Sequence, residues 1–204
     1  MFALVDKSDN SITRMLSGSQ GITLDGIQHP KEIFTLWTEA ERNAINIYTV
    51  EINNSKRKNT EWYVNTNVTY SFNGSKVTGS YGDATARAHA DTLFTAQDES
   101  DGKGTEGDVK DEGLKTKLIR SIKSQAEGEL NKTDWYITRK AEKDTAIPSA
   151  VSTHRDAVRS KQAEMETAIT NASDTPALET LYTYTTQEDG STTRPLGELP
   201  TKDF

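Results

Sequence analysis

One segment limits the fold of this 204-residue chain more than any other: residues 97–112, which read QDESDGKGTEGDVKDE. It holds seven acidic side chains, two lysines and three glycines, and Val109 is its only apolar side chain. Such a segment cannot bury enough apolar surface to offset the entropy lost on ordering. We therefore predict an acidic, glycine-rich linker at 97–112. It would separate a β-rich α+β domain at 1–96 from a helical region at 113–172, which is followed by a polar extended tail at 173–204. A calcium loop is the alternative for the linker, but the EF-hand spacing of ligands is absent.

The composition of the chain restricts its partners. Hydrophobic residues make up 33% of the sequence, so we expect small cores. The net charge is -7, and an acidic surface repels both phosphate backbones and anionic lipid, so we expect neither a nucleic-acid nor a membrane partner. No apolar run approaches the ~20 residues that cross a bilayer, and the first residues lack the basic leader of a signal peptide. We expect a chain that is made and assembled in a cytosol.

Residues with catalytic or metal-binding chemistry are few and scattered. The absence of cysteine removes disulfides, thiolate metal sites and cysteine nucleophiles. His29, His89 and His154 have no second histidine or carboxylate at ligand spacing on a shared face. Motifs of P-loops, nucleophile elbows and zinc proteases are absent, and no carboxylate pair is indicated for glycoside hydrolysis. We predict that the protein is not an enzyme and has no cofactor, no metal and no catalytic residues.

The N-terminal half has the pattern of a mixed α+β domain. Apolar runs predict strands at 2–5, 22–24 and 47–52, and Thr38 with Glu41 forms a capping box that predicts a short helix. A hairpin is predicted next, with its turn at Asn73-Gly74 and its return strand through Val77, Gly79 and Tyr81. Its first strand carries apolar side chains of one parity: Trp62, Val64, Val68, Tyr70 and Phe72. The alanine-rich stretch 83–96 predicts another short helix.

The C-terminal half has the pattern of helices. A stripe with a spacing of four residues begins at Leu114, and Thr133-Asp134 predicts the start of a new helix. Pro148 is placed to open a third helix, whose narrow apolar seam is Val151, Val158, Met165 and Ile169. This seam suits a helical hairpin or an oligomeric contact. Because so polar a hairpin is marginal as an isolated monomer, we expect a homo-oligomer.

One stretch of this half, NKTDWYITRKAEKDTAIPSAVSTHRDAVR at 131–159, resembles a segment of bacteriophage tail proteins and tail-fibre assembly proteins. In those proteins an aspartate-tryptophan pair leads through a variable stretch to a proline, and then to a helix with a tyrosine-arginine pair and a second arginine. His154 stands here in place of the tyrosine. The opening strands FALVD and GITLDG, with Pro30 and Leu36-Trp37, also resemble the start of such phage proteins. The residues matching the segment are Asp134, Trp135, Arg139, Ile147, Pro148, Arg155 and Arg159.

The resemblance implies a non-enzymatic bacteriophage virion structural protein of the tail: a fibre, baseplate or adaptor component that docks onto other tail proteins and is assembled in the host cytoplasm. It also leaves an alternative, a tail-fibre assembly chaperone that is absent from the mature virion. The residues that it implies for protein interaction are Asp134, Trp135, Arg139, Pro148, Arg155 and Arg159.

The same residues also have a purely structural interpretation. Asp134 would cap a helix, and Trp135 would close a small core as a large apolar anchor. Arg155 and Arg159 lie one helical turn apart and could bind a carboxylate or the carbonyls of a helix end.

Overall fold

The computed structural model describes residues 1–203 and has a mixed α+β architecture, with a β-rich N-terminal half and a helical C-terminal part. The chain forms two compact units, Met1–Thr85 and a second that begins at Ala86. The boundary lies earlier in the chain than residue 96, where the sequence placed the end of the first domain.

The first unit consists mainly of short strands. They are β1 Phe2–Asp6, β2 Ser11–Leu16, β3 Ile22–Leu24, β4 Ile27–His29, β5 Ile47–Asn53, β6 Tyr63–Val64, β7 Thr69–Phe72 and β8 Val77–Ser80, with a 3-10 helix at Lys31–Phe34 and helix α1 at Glu39–Ala44 between β4 and β5. A further short strand, β9 Thr85–Ala86, lies at the boundary of the two units.

Five of these strands form one sheet in the order β2-β1-β5-β8-β7. Neighbouring strands are antiparallel except for β5 and β8, which are parallel. The register of β1 against β2 shifts between Leu4 and Val5, and such an irregularity bends a strand. The outermost strands, β2 and β7, approach each other, so the sheet curls strongly.

Both faces of this sheet are covered, because successive side chains of a strand point to opposite faces. One cluster of buried residues comprises Ala3, Val5, Tyr48, Phe72 and Val77. The other lies under β3, β4 and the 3-10 helix and comprises Leu16, Ile22, Ile33, Phe34 and Ile47. Two small cores thus stabilise the first unit, in keeping with the low apolar content of the chain.

Local signals in the first unit were reliable where they involve turns and caps. The Thr38 hydroxyl accepts from Glu41 N at 3.3 Å, and the Glu41 carboxylate accepts from Thr38 N at 2.7 Å, which confirms the capping box. The hairpin turn is also confirmed: Gly74 has φ +92°, and Asn73 Oδ1 accepts from Lys76 N at 2.9 Å.

Other predictions for the same unit were wrong. Val64 lies in the separate strand β6 and is half-exposed, so it is not part of one long apolar face. Strand β2 was missed, because its sequence SITRML lacks a regular alternation and it is defined by its pairing with β1. The stretch 83–96 contains short strands and has no helix before Ala96.

The second unit combines helices with short strand pairs. Its elements are β10 Thr92–Leu93, α2 Ala96–Ser100, β11 Val109–Asp111, α3 Leu114–Asn131, α4 Asp134–Lys143, α5 Ser149–Asn171, α6 Thr175–Tyr182, β12 Thr185–Thr186 and β13 Thr192–Thr193.

Helices α3 and α5 pack against each other and run antiparallel; we call them the helix pair. Lys115 near the start of α3 donates to Thr170 O near the end of α5 at 2.8 Å, whereas Arg155 near the start of α5 reaches Leu130 O near the end of α3. The predicted seam of α5 is buried: Val151, Val158, Met165 and Ile169. The buried residues of α3 are Ile122 and Ala126.

The predicted linker at 97–112 contains α2 and β11, and β11 pairs with β10. The predicted extended tail at 173–204 contains α6, which buries Leu178, and the β12–β13 hairpin, after which Leu196 is buried and donates to Leu181 O at 3.0 Å. Composition indicated too little apolar surface for order in the linker, and the tail was predicted to be extended because it is polar. Hydrogen bonds, ion pairs and single buried leucines supply the order instead.

Candidate functional site

Several residues of the segment 131–159 come together where α3 ends and α4 begins. Only Lys132 and Thr133 separate the two helices. Lys132 keeps helical dihedral angles, whereas Thr133 leaves them, with φ -119° and ψ 4°. The Thr133 side chain is fully buried and donates to Leu130 O at 3.0 Å. The break is therefore a local and well-defined feature of the backbone.

Arg155 of α5 connects the two sides of this break. The side chain is buried, and its Nη1 group, whose two hydrogens are shared among three acceptors, lies 2.7 Å from each of Leu130 O, Thr133 Oγ1 and Asp134 Oδ1. The Leu130 carbonyl belongs to the last turn of α3, where carbonyls lose their helical partners. Bonds from a guanidinium to a carboxylate are about twice as strong as neutral ones. Arg155 thus fixes the first turn of α4 to the helix pair.

Trp135 and its neighbours form a surface that we call the aromatic face, in which Trp135 is exposed and Tyr136 and Arg139 are partly buried. The two ring centroids are 3.8 Å apart, and the Arg139 guanidinium lies 4.7 Å from the Trp135 ring and 5.3 Å from the Tyr136 ring. Trp135 is 52% exposed, so the expectation that it closes a core was wrong. The preceding residue, Asp134, faces Arg155, and the next side chain of a helix lies about 100° away, which directs Trp135 toward solvent.

The remaining predicted site residues lie elsewhere. Pro148 immediately precedes α5, as its position before a helix predicted. Arg159 is half-exposed and donates to Asp156 of its own helix at 3.4 Å, so it does not join Arg155 on Asp134. The structure therefore brings together Asp134, Trp135, Arg139 and Arg155 but leaves Pro148 and Arg159 outside the cluster.

Thr133, Tyr136 and Ile137 are parts of this region that the sequence did not single out. Thr133 was recognised only as a helix start, and its hydroxyl as an acceptor for Arg155 has no sequence signal. Ile137 is 41% exposed on α4. No sequence signal marked it, because a single exposed apolar side chain is common on protein surfaces.

The far end of the helix pair is held by a distant segment. Leu114 N and Lys115 N donate to the carbonyls of Ala88 and His89, both at 2.9 Å. Asp91 accepts from Gly113 N at 2.7 Å and from the Thr116 hydroxyl at 2.8 Å. The pKa of Asp91 is held below its ordinary value, mainly by the Gly113 N–H and to a smaller extent by the Thr116 hydroxyl. These bonds satisfy N–H groups that a helix start leaves without partners.

Within residues 1–203, no group of three or more His, Asp or Glu side chains is arranged to hold a metal ion. None of the helices in the described part of the chain is long and apolar enough to cross a membrane. Comparison with protein-family models, curated proteins and solved structures found no match. The aromatic face lies on the helix whose first turn Arg155 binds through Asp134.

Proposed function

We propose that this protein is a non-enzymatic structural component of a bacteriophage tail that docks onto other tail subunits through α4. The observation that carries the proposal is the aromatic face: Trp135 is half-exposed although it lies on a helix that Arg155 fixes in place. The resemblance of 131–159 to phage tail and tail-fibre assembly proteins supplies the biological setting.

The composition of α4 supports a docking role. None of its residues is fully buried within the chain, yet it carries Trp135, Tyr136 and Ile137. Tryptophan, tyrosine and arginine are the side chains most enriched at the energetic centres of protein interfaces. Large exposed apolar side chains that lie together mark interaction surfaces more often than scattered ones do.

The order of α4 also supports this role. Arg155 holds the first turn of the helix, and Arg139 lies against both rings, so the surface is arranged before a partner arrives. A surface that is already ordered loses less conformational entropy on association. We further propose that copies of the chain associate with one another in the assembled tail, since the apolar seam of the helix pair is thin.

The alternative function is a tail-fibre assembly chaperone that leaves before the particle is complete. The specific observation in its favour is the same segment, because 131–159 resembles assembly proteins as well as tail proteins. Both functions use the aromatic face to bind a tail protein. They differ in whether this chain remains in the finished particle.

Quantitative mass spectrometry of density-purified particles, from a phage that carries this gene, tests the proposal. A copy number that matches a tail ring or a fibre multiple is expected for a structural component. Absence from particles, together with abundance in the infected lysate, would favour the chaperone. If affinity-purified chain from the same lysate carries no tail protein in stoichiometric amount, both functions are contradicted.

A further inference from the structure

The break between α3 and α4 has a local helix-start signal at Thr133-Asp134, but it lacks the usual causes of a kink within one helix. Kinks in helices generally occur at proline, at glycine or serine pairs, or where a side chain inserts into the backbone ladder. The sequence from Glu129 to Trp135 contains no proline, glycine or serine. The inserted group is the Arg155 guanidinium, which bonds to the carbonyl before the break and to two side chains at and after it. Thr133 is the one residue here that leaves helical dihedral angles, and it is contacted by an arginine from another helix.

We infer that Arg155 is a clamp that holds α3 and α4 apart, and that loss of its contacts lets the two helices join into one. The joined helix would run over 114–143, roughly 30 residues and about 45 Å long. This conformational change is a property of the second unit and does not depend on the proposed phage function.

The joined helix would gain a backbone hydrogen bond and bury an apolar side chain. In a continuous helix the Leu130 carbonyl would accept from Asp134 N, four residues later. At about 100° per residue, Ile137 would lie about 60° from Ile122, on the side of the helix that α3 buries against α5. Ile137 is now 41% exposed, so joining the helices would extend the apolar seam. The cost is the loss of the contacts that the Arg155 Nη1 group makes with Leu130 O, Thr133 Oγ1 and Asp134 Oδ1.

The connection to α5 is long enough for the joined form. Leu130 and Arg155 lie at the same height along the antiparallel helix pair. Ser149 is six residues before Arg155, so it lies at the height of residue 136, six residues after Leu130, in a straight joined helix. Residue 143 would extend about 10 Å beyond that level, and packed helices are about 8–10 Å apart. The connection at 144–148 must then span roughly 14 Å, whereas six steps of extended chain reach about 20 Å. The joined form therefore requires no displacement of α5.

Pulsed electron-spin distance measurement tests the clamp, because the chain has no native cysteine to interfere with labelling. Spin labels are attached to Ser124→Cys and Glu142→Cys, both of which are exposed. These positions are 18 residues apart, which is five turns of a straight helix, so the labels would lie on one side about 27 Å apart. In the parent the break is expected to give a different, shorter distance.

Arg155→Met is expected to shift the distance distribution toward about 27 Å. Arg159→Met, one turn further along α5 and bonded only to Asp156 at 3.4 Å, is the matched control and is expected to keep the parent distribution. An Arg155→Met protein that stays helical by circular dichroism and keeps the parent distance would overturn the inference. If Arg155→Met does not fold, Thr133→Val, which removes one acceptor of the clamp, is judged by the same two outcomes.

Discussion

The second unit contains two regions that are ordered by opposite means. The helix pair is held by an apolar seam in which Ile122, Val158 and Ile169 are almost completely buried. The residues 94–111, which we call the acidic lobe, hold no fully buried hydrophobic side chain. Order in the lobe comes from the partly buried Phe94 ring, which packs on Gly104 and Lys110, and from polar contacts. The centre of the polar contacts is Asp98, which accepts from Thr95 N at 3.1 Å and from Lys110 at 3.0 Å.

This difference shows that low apolar content does not by itself leave a segment without structure. The lobe combines a capping box at Thr95, the β10–β11 pairing and ion pairs of Lys103 and Lys110 with Asp98. Individual exposed ion pairs contribute little to the free energy of unfolding, about 0–1 kcal/mol. The lobe is therefore expected to open locally at a smaller free-energy cost than the helix pair. Four predictions test this contrast and its consequences.

The largest expected effect is in the seam. Ile122→Ala should lower the free energy of unfolding by about 3 kcal/mol, because it leaves a cavity between α3 and α5. Val109→Ala in the acidic lobe is the control and should change it by less than about 0.5 kcal/mol, since Val109 is half-exposed. Urea unfolding followed by circular dichroism at the helix band measures both. Equal losses would contradict the assignment of stability to the seam.

Two glycines at opposite ends of α3 give the next contrast. A Cβ at Gly113 would lie 2.3–2.4 Å from the backbone of Ala90, whereas one at Gly128 would meet open space. Gly113→Ala should destabilise the unit by about 2 kcal/mol, in the range for overpacking. Gly128→Ala should stabilise it by up to about 1 kcal/mol, because alanine favours the helix. Thermal unfolding of the two variants should therefore move the midpoint in opposite directions, and a Gly113→Ala midpoint that does not fall would refute the placement of Ala90.

The two regions also differ in how much of their structure the sequence could predict. The seam from Val151 to Ile169 and the turn at Asn73-Gly74 depend on residues close together in the chain, and both were predicted correctly. The acidic lobe was not, because its order depends on which cation reaches which carboxylate, and spacing does not specify that. Composition records how many acids a segment has, but it does not record their partners.

The candidate site divides in the same way. The start of a helix at Asp134 and the position of Pro148 before α5 follow from local preferences. The contact of Arg155 with Asp134 spans 21 residues, and the sequence offered carboxylates and helix carbonyls as alternatives without choosing among them. The exposure of Trp135 follows from that contact. It could not be predicted, because tryptophan is usually buried and nothing local overrides that preference.

The protonation of Asp98 should make the stability of the acidic lobe, unlike that of the helix pair, fall in acid. The Thr95 N–H first, then Lys110 and the Thr95 hydroxyl, lower the pKa of Asp98 from 3.8 to about 2. A carboxyl whose pKa is lowered on folding contributes stability above its unfolded pKa and loses it as the pH falls through the folded value. Hydrogen-exchange protection of the lobe, corrected for intrinsic rates, should therefore decline between about pH 4 and pH 2.

A variant of Asp98 separates this titration from general acid effects. Asp98→Asn should reduce the protection of the lobe severalfold near neutral pH and remove its decline in acid, while the amides of the helix pair keep theirs. Glu106→Gln makes the same change of charge at an exposed side chain of the lobe and should leave both regions unchanged. A decline in acid that persists in Asp98→Asn would assign it to another group.

The smallest effect on folding is expected at Trp135, where the effect on docking should be largest. Because the ring is half-exposed and its main contacts are Tyr136 and Arg139, Trp135→Ala should cost about 1 kcal/mol or less of the free energy of unfolding. Incorporation into particles, or capture of tail protein from an infected lysate, should nevertheless fall at least tenfold, as for the central residue of an interface.

Leu36→Ala, at an even more exposed side chain in the first unit, should change neither quantity. A Trp135→Ala protein that folds and docks like the parent would remove the aromatic face from the docking surface, whereas one that fails to fold would show that exposure underestimates its structural role.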